Sequence, residues 1–575
     1  MYKKWLVWVG LGLVIILAIG FRFYDIQNYP GGLFPDQAAN GEDALLILDG
    51  DWRPFYERGN GREALFFYLQ ALMIWLFGIG VWPMFAASAV VGVLTVVAVY
   101  FATRPWFGKL AGLLAAGFLA TSHWHVTLSR TGFRAIMIPL FVAAFTACVG
   151  YAVLNRENKY KSYLFAALAG AFFAGGFYTY IAYRVMVGVV LGIAIIWLMA
   201  SLHPKIGWPQ LARYWRQIMV GLIAAVVVFA PLGIYFWQNP EAFVGRAGQV
   251  SVFNPNLQQP GGVGPTILWS LEETLLSFFG GEGDLNWRHN VAGYPLLNPL
   301  AAILFLLGLA WIINGFFRLI YKIFLGRELH LDLIFPYLLL VIFGMLLPVI
   351  TTAEGIPHGL RSIGLVAPVF MIVGVAGAVV INWLRRRSGG LRGVGIGTMM
   401  GLLTLGVGYD GVLYFVVARN DSEARYAYRS DLTGVSAWLK EYRQQYPEAP
   451  VPYLVLDKFS VQTAHFLTHE VGAGGIAPPP HDFQEHPDED QHLYRLLEPA
   501  RSHETVLQPG EVMIFTASTL PDAERYEVTH GGLDLRLLEE VRNRYDQVEM
   551  LIYGLPVEGE VEPDSLNEVP AGLDA

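Results

Sequence analysis

Long apolar segments with few charges dominate the chain before residue 417, and they restrict its fold more than any other feature of the sequence. An α-helix needs about 20 mostly apolar residues to cross a membrane. The sequence is 54% hydrophobic and only 15% charged, whereas soluble proteins contain about 25% charged residues. It therefore predicts a polytopic α-helical membrane protein with about 11 transmembrane helices. The candidate spans are 5–22, 82–103, 109–122, 134–154, 162–178, 183–200, 217–237, 297–317, 333–350, 362–384 and 393–416.

Whether a further apolar run, 64–81, crosses the membrane can be inferred from the distribution of basic residues, because Lys and Arg in short loops mark the cytoplasmic side. If the run does not cross, the short outer loops after the first keep four arginines, Arg130, Arg134, Arg184 and Arg361. A crossing there would invert every later loop, so we predict that 64–81 is interfacial or re-entrant. The cytoplasmic side then receives 17 basic residues: Lys3, Lys4, Arg104, Lys109, Arg156, Lys159, Lys161, Lys205, Arg213, Arg216, Arg318, Lys322, Arg327, Arg385, Arg386, Arg387 and Arg392.

The N-terminus resembles the start of a signal peptide, with two lysines before the apolar stretch from Trp5 to Phe21. The stretch is longer than a usual signal-peptide core, and no small-x-small cleavage site follows it. We predict an uncleaved signal anchor, with the N-terminus in the cytoplasm and the chain in the cytoplasmic membrane.

The composition changes after the last span. Residues 1–416 contain 27 basic and 18 acidic residues, whereas 417–575 contain 12 and 29. This acidic tail is not expected to bind nucleic acid, because contacts to phosphates need clustered Lys and Arg. "VPYLVLD" and "EVMIFTA" are typical of buried strands, "DLTGVSAWLKEYRQQY" of a helix, and "SVQTAHFLTHE", then "LRLLEEVRNRY" with "VEMLIYGL", continue an alternation of helix and strand. We predict a small extracytoplasmic α/β domain over 417–557 and a disordered tail over 558–575.

Two outer loops are long, 23–81 and 238–296, and long loops are more often functional than mere connectors. In the first, "DQAANGEDALLILDG" predicts a helix that places Asp36, Asn40 and Asp43 on one polar face. Asp36 has two interpretations. It is either the N-cap of this helix or a catalytic carboxylate. Asp43 and its neighbour Glu42 are further candidates for contacts with a substrate.

Cationic residues recur where the predicted spans meet the outer side. Guanidinium groups bind phosphate oxygens in pairs of hydrogen bonds, so these residues are candidate contacts for an anionic ligand. The alternatives are ion pairing and contacts to lipid headgroups. Two nearby histidines, His123 and His125, are weak zinc candidates without a third ligand. The candidate binding residues are Arg62 with Glu63, Arg130 with Arg134, and His358 with Arg361.

Four segments in this order resemble the C superfamily of membrane glycosyltransferases, and in particular bacterial family 39 proteins akin to protein O-mannosyltransferases and the lipid A aminoarabinose transferase. They are "PDQAANGEDA", "GREALFFYLQALMIWLFG", "HWHVTLSRTGFRAIMIPLF" and "HGLRSIGLVAPV". The resemblance implies transfer of a sugar, with inversion, from a polyprenyl-phosphate-linked donor to an acceptor on the outer membrane face. It also implies that Asp36 is the essential Asp of the first outer loop, which we interpret as the general base.

The family often has Glu after this Asp, whereas this chain has Gln37. The motif therefore lacks a second carboxylate, and we predict no obligatory divalent metal from it. The expected partners are the lipid-linked sugar, membrane lipid and an acceptor that is a protein, lipid or glycan.

The competing interpretation is a membrane transporter or polysaccharide-export component without chemistry. It predicts ionisable residues deep inside the spans. Here they lie mainly at the outer ends, which favours the enzyme.

The topology makes a direct prediction. Alkaline phosphatase fused after the α/β domain is expected to be active, because the enzyme folds only outside the cytoplasm. A control fusion in the basic loop near Arg156 is expected to be inactive. An inactive C-terminal fusion with an active control would refute the topology.

Overall fold

The computed structural model describes residues 4–203, 205–206, 213–244, 251–327, 329, 331–387, 390–469, 471–472, 475–476, 493–531 and 535–555. Two compact units divide the chain. The membrane unit comprises residues 1–24, 53–66 and 85–420, and the sheet unit comprises 25–52, 67–84 and 421–575. The predicted boundary after 416 therefore misses two segments, since 25–52 and 67–84 group with the residues of the tail. The predicted disordered segment, 558–575, lies outside the described residues.

Helices make up most of the described chain. In chain order they are α1 Lys4–Phe23, α2 Pro35–Leu48, α3 Leu65–Phe77, α4 Val81–Phe107, α5 Lys109–Thr121, α6 His123–Leu128, α7 Met137–Leu154, α8 Lys159–Gly175, α9 Met186–Ser201, α10 Trp215–Gln238, α11 Pro240–Val244, α12 Val263–Phe279, α13 Pro299–Phe324, α14 Ile334–Ile350, α15 Val366–Arg385, α16 Gly390–Val412, α17 Ser422–Ala427, α18 Ser430–Gln445, α19 Val461–Thr468 and α20 Leu520–His530.

Within the described ranges, eight helical segments are long and apolar enough to cross a membrane. Two of the other predicted spans, 109–122 and 333–350, coincide with shorter apolar helices, α5 and α14. The third, 162–178, coincides with most of α8, which belongs to neither group. The polytopic helical fold is thus confirmed. The ambiguous run forms α3, which has 13 residues. It is as long as α5, so length does not separate the two helices, and the interfacial or re-entrant position of α3 stays a prediction.

Small residues allow close helix packing in the membrane unit. A side chain on Gly170 of α8 would overlap the main chain of Gly221 in α10. Such contacts between backbones are common between membrane helices, because apolar side chains gain little there from leaving lipid.

Short 3₁₀ and π turns lie between some of these helices. The described residues also contain nine short strands: β1 Phe55–Tyr56, β2 Arg62–Glu63, β3 Tyr453–Val455, β4 Val471–Gly472, β5 Gly475–Ile476, β6 Arg495–Leu497, β7 Val512–Thr516, β8 Arg536–Arg542 and β9 Val548–Gly554. Five of them form a mixed sheet in the order β6-β3-β7-β9-β8. Its first three strands are parallel and its last three are antiparallel. The predicted α/β tail is confirmed, with one correction. "LRLLEEVRNRY" contains a strand, β8, because it pairs with β9 across a hairpin.

In the sheet unit, α2 packs against α19 at a glycine. A Cβ on Gly41 would lie 2.5 Å from the ring of Phe466. The chain just before α2 is also fixed, because the main-chain N–H of Leu33 donates to Thr433 and its carbonyl accepts from Thr463. The first half of α2 is therefore held in one position within this unit.

This packing predicts that Gly41→Ala destabilises the protein by about 1–3 kcal/mol, because the added methyl group overlaps a buried ring. Gly434→Ala is the matched control, since Gly434 is also helical and a Cβ there meets only one atom, at 3.9 Å. Thermal unfolding of the two purified variants measures the difference. Equal melting temperatures would contradict the close contact.

Candidate active site

Asp36 is the second residue of α2, directly after Pro35. The N-cap of this helix is Phe34, whose main-chain N–H donates to the Gln37 side-chain oxygen at 3.0 Å. The N-cap interpretation of Asp36 is therefore wrong. Asp36 is exposed, whereas Pro35 and Gln37 beside it are buried. Within the described part of the chain, no hydrogen bond occupies its carboxylate, so the oxygens are accessible to a substrate.

The predicted polar face of α2 is not a solvent-exposed face, because Asn40 and Asp43 are both buried. Glu42 is buried too, and its carboxylate lies 2.8 Å from Nδ1 of His465 on α19. This pair gives Glu42 a structural partner within the sheet unit. Substrate contacts by Glu42 and Asp43 stay predictions.

In the membrane unit, a small hairpin positions Arg62 and Glu63. Strands β1 and β2 pair in antiparallel register, with Phe55 opposite Glu63 and Tyr56 opposite Arg62. Gly61, with φ of 90°, supports the turn, and a Cβ there would overlap the Phe55 ring. Both charged side chains of β2 are buried.

Glu63 lies between two arginines. Its carboxylate oxygens are 3.7 Å from Nε of Arg134 and 3.7 Å from Nη2 of Arg184. These are loose ion pairs, because a charge-assisted hydrogen bond is about 2.7–2.9 Å long. The three side chains line a pocket together with Phe55, Gly61, Ile181, Ala242 and Phe243. Two guanidinium groups and one carboxylate thus share a small partly apolar space.

Arg184 is held over aromatic rings. Its guanidinium carbon is 4.3 Å from the centre of the Phe243 ring and 5.3 Å from that of Phe236. It also donates to the Phe243 carbonyl at 2.6 Å. The sequence placed Arg184 on the outer side but did not select it for the site. The available signal was its departure from the positive-inside pattern, which it shares with Arg134 and Arg361.

Arg134, Arg184 and Arg361 have the same structural setting. Each lies in a short 3₁₀ turn that leads into an apolar span: Arg134–Ile136, Ile181–Val185 and Arg361–Leu365. The third turn contacts the other two, so the ends of three spans meet. Arg361 is paired with Glu354 at 3.2 Å, and that glutamate is 60% exposed. The predicted candidates Arg134 and Arg361 therefore lie on contacting segments.

Arg130 differs from these arginines. It is fully buried and donates to the carbonyl oxygens of Phe21, Arg22 and Tyr24, at 3.3, 3.2 and 2.8 Å. Its guanidinium thereby satisfies main-chain acceptors at the end of α1. This observed role is structural, and we omit Arg130 from the proposed site. Arg62 also remains a prediction, because no observed geometry links it to a substrate.

The histidines of "HWH" have structural contacts. His123 lies 2.6 Å from the Asp410 carboxylate and 2.8 Å from the Pro295 carbonyl. His125 accepts a hydrogen bond from the buried Arg22 at 2.8 Å. Burial, together with the charge of Arg22, lowers the pKa of His125 well below its usual range. Neither histidine belongs to the metal-ligand cluster found within the described residues.

A second polar group joins the two later outer loops. Asp284 accepts from Nδ1 of His289 at 2.9 Å and from the Gly359 main-chain N–H at 2.7 Å. The rings of His289 and His358 stack, with centroids 4.4 Å apart. Burial lowers the pKa of both imidazoles, most strongly for His358. The predicted phosphate contact His358 is therefore a neutral base at pH 7, and its role in binding stays a prediction.

Comparison with known proteins supports the resemblance drawn from the sequence. Residues 64–239 match the family model described as dolichyl-phosphate-mannose-protein mannosyltransferase. No curated protein sequence matches the chain. Among solved structures, ArnT from Cupriavidus metallidurans bound to undecaprenyl phosphate is similar, with 11% identity and a TM-score of 0.52 over 96% of this chain and 98% of that one. The oligosaccharyltransferase of Archaeoglobus fulgidus tethered to an acceptor peptide has 14% identity and a TM-score of 0.48, over 81% and 64% of the two chains.

The first of these structural matches extends over nearly the whole chain, and its low identity makes it evidence for the fold. The family model adds a sequence match that begins after the hairpin, at residue 64, and covers α3 and the helices up to α10. Together they confirm the predicted resemblance: this multi-pass membrane protein has the fold of the C superfamily of membrane glycosyltransferases.

Proposed function

We propose that this protein transfers a sugar, with inversion, from a polyprenyl-phosphate-linked donor to an acceptor on the outer face of the cytoplasmic membrane. The single observation that carries the proposal is the convergence of three span ends, each with an arginine, beside the pocket of Glu63. The likeness to a protein bound to undecaprenyl phosphate supports the class of donor.

The donor phosphate is assigned to Arg134 and Arg184, with Arg361 as a third cation. Glu63 holds the first two at 3.7 Å, without the short contacts of a tight salt bridge. In this proposal the phosphate oxygens bind the guanidinium groups of Arg134 and Arg184 while Glu63 stays in place. The helix ends behind the three 3₁₀ turns also favour an anion, because unpaired main-chain N–H groups give them partial positive charge.

The leaving group needs cations more than a strong acid. When the bond between the anomeric carbon and the phosphate oxygen breaks, its electron pair stays on the phosphate, which leaves with an additional negative charge. Guanidinium groups fixed in a pocket stabilise this charge as it develops.

Asp36 is the proposed general base. As the acceptor oxygen or nitrogen bonds to the anomeric carbon, the acceptor loses a proton and the Asp36 carboxylate takes it. Attack from the face opposite the phosphate inverts the anomeric configuration. The exposed position of Asp36 suits this role, since a base must reach the acceptor before the bond forms.

No divalent ion is required at the Asp36–Gln37 pair in this scheme. Gln37 accepts the Phe34 main-chain N–H, so its oxygen already serves the start of the helix. The sugar and the acceptor are to be identified by mass spectrometry of cell-envelope components from a deletion strain.

Asp36→Asn is expected to lower the rate of transfer by at least about 100-fold, because general-base catalysis typically contributes 10²–10⁴. Donor affinity and melting temperature are expected to stay near the wild-type values, since the carboxylate is exposed and makes no hydrogen bond within the described residues. Asp49→Asn is the matched control, because Asp49 is an exposed aspartate at the other end of α2. Transfer by purified Asp36→Asn at the wild-type rate would refute the assignment.

Arg134→Ala, Arg184→Ala and Arg361→Ala are each expected to raise the donor KM by about 10–100-fold, because a hydrogen bond to a charged group contributes about 1.5–3 kcal/mol. The acceptor KM is expected to change much less. Arg156→Ala is the control, since Arg156 stacks on Tyr214 and belongs to the predicted cytoplasmic set. Steady-state kinetics with both substrates varied separates the two constants, and equal changes in both would contradict phosphate binding.

A further inference from the structure

Asp284, His289 and His358 form a cluster that the proposed transfer step does not use. They come from two different loops of the membrane unit, the long loop after α12 and the loop after α14. One ligand atom from each lies within 4.8 Å of the other two. Asp284 and His289 are buried, and His358 is partly buried. Ionisable side chains are seldom buried together unless they bind one another or a ligand.

The hydrogen bond between His289 and Asp284 already places two potential ligand atoms side by side. An ionised carboxylate only accepts, so Asp284 receives the Nδ1 proton of His289. Zn²⁺ bound between the two side chains would take the place of this proton. The Nδ1 lone pair of His289 and a carboxylate oxygen of Asp284 would then both face the ion.

His358 makes a long hydrogen bond that metal binding could replace. Its Nδ1 accepts the Arg361 main-chain N–H at 3.3 Å, which is longer than a typical hydrogen bond. Its ring stacks on that of His289 within 17°, and because the lone pair of an imidazole lies in the ring plane, the His358 ring must turn out of this stack to share an ion.

We propose that His289, His358 and Asp284 bind one Zn²⁺ ion, which links the loop after α12 to the loop that leads into Arg361. Two imidazole nitrogens and a carboxylate oxygen are ligands that zinc accepts. Donor atoms on one tetrahedral zinc are about 3.4 Å apart, so the most distant ligand atoms must approach by rotation of their side chains. The fourth position is left to water or to a substrate atom.

The negative charge of Asp284 is expected to contribute most to metal binding in this cluster. Arg288 and Arg361 both act on the two histidines, and their positive charge also repels a metal ion. Arg361 is partly neutralised by Glu354. The Asp284 carboxylate supplies the remaining negative charge, and it also fixes the Gly359 backbone next to His358. Loss of this charge is therefore expected to weaken metal binding even if the loop keeps its shape.

The test uses the full-length protein in detergent, purified with a tag that contains no histidine and stripped of metal by chelator dialysis. ZnCl₂ is then titrated against a competing zinc dye, and retained zinc is counted by mass spectrometry. We expect one zinc per chain, at least about 100-fold weaker binding in His289→Gln and His358→Gln, and weaker binding in Asp284→Asn. Zinc is expected to raise the melting temperature of the wild type but not of His358→Gln.

His203→Gln is the control, because it removes a histidine of the same unit outside the cluster and is expected to keep the zinc. A folded wild type that retains no zinc overturns the proposal. So does a folded His358→Gln with wild-type affinity, which would place the ion elsewhere. If both histidine variants fail to fold, Asp284→Asn decides, since undiminished affinity in that folded variant is also contradictory. The readouts are zinc affinity and stability, so failure of the transferase proposal would leave this test unaffected.

Discussion

The buried carboxylate of Glu63 organises the charged end of the membrane unit. It is the shared counter-ion of Arg134 and Arg184, and an unpaired charge at that depth would be strongly unfavourable. The hairpin of β1 and β2 brings Glu63 to this position, and the 3₁₀ turns before two spans bring the arginines. Both contacts are longer than a tight salt bridge, and we propose that the same cluster binds the donor phosphate. Fold and proposed donor binding thus depend on the same three side chains.

Two buried arginines and a buried histidine of the membrane unit instead have backbone or carboxylate partners. Arg130 caps carbonyls at the end of α1, and Arg22 donates to carbonyls of Leu119 and Ala120. His123, with Asp410 and Asn298, links α6, α16 and the start of α13. Such networks are expected in lipid, where no water replaces a missing partner. They show why a polar residue near a span end is insufficient evidence for a site.

Much of the fold was predictable because its signals are local. Apolar length located the helices of all eleven predicted spans, whereas the distinction between α3 and these spans rests on the distribution of Lys and Arg and stays a prediction. Helix α2 was also predictable from local sequence, but the burial of its polar face was not. Glu42 and Asp43 are both buried, and Glu42 contacts His465, which is distant in sequence. The pairing of β8 with β9 was missed because "LRLLEEVRNRY" also fits a helical pattern. Among the candidate site residues, Arg134 and Arg361 were selected because the predicted topology places them, against the positive-inside pattern, on the outer side. Arg184 had the same signal, but only its position beside Glu63 and Phe243 distinguishes it.

The central claim is that a lipid phosphate binds between the arginines that Glu63 holds. A cryo-electron microscopy structure of the protein with added undecaprenyl phosphate tests it most directly. The account predicts phosphate density within about 3 Å of a guanidinium nitrogen of Arg134 or Arg184, with the lipid chain leaving the pocket toward the membrane. Phosphate bound to other residues, with both arginines still 3.7 Å from Glu63, would contradict it.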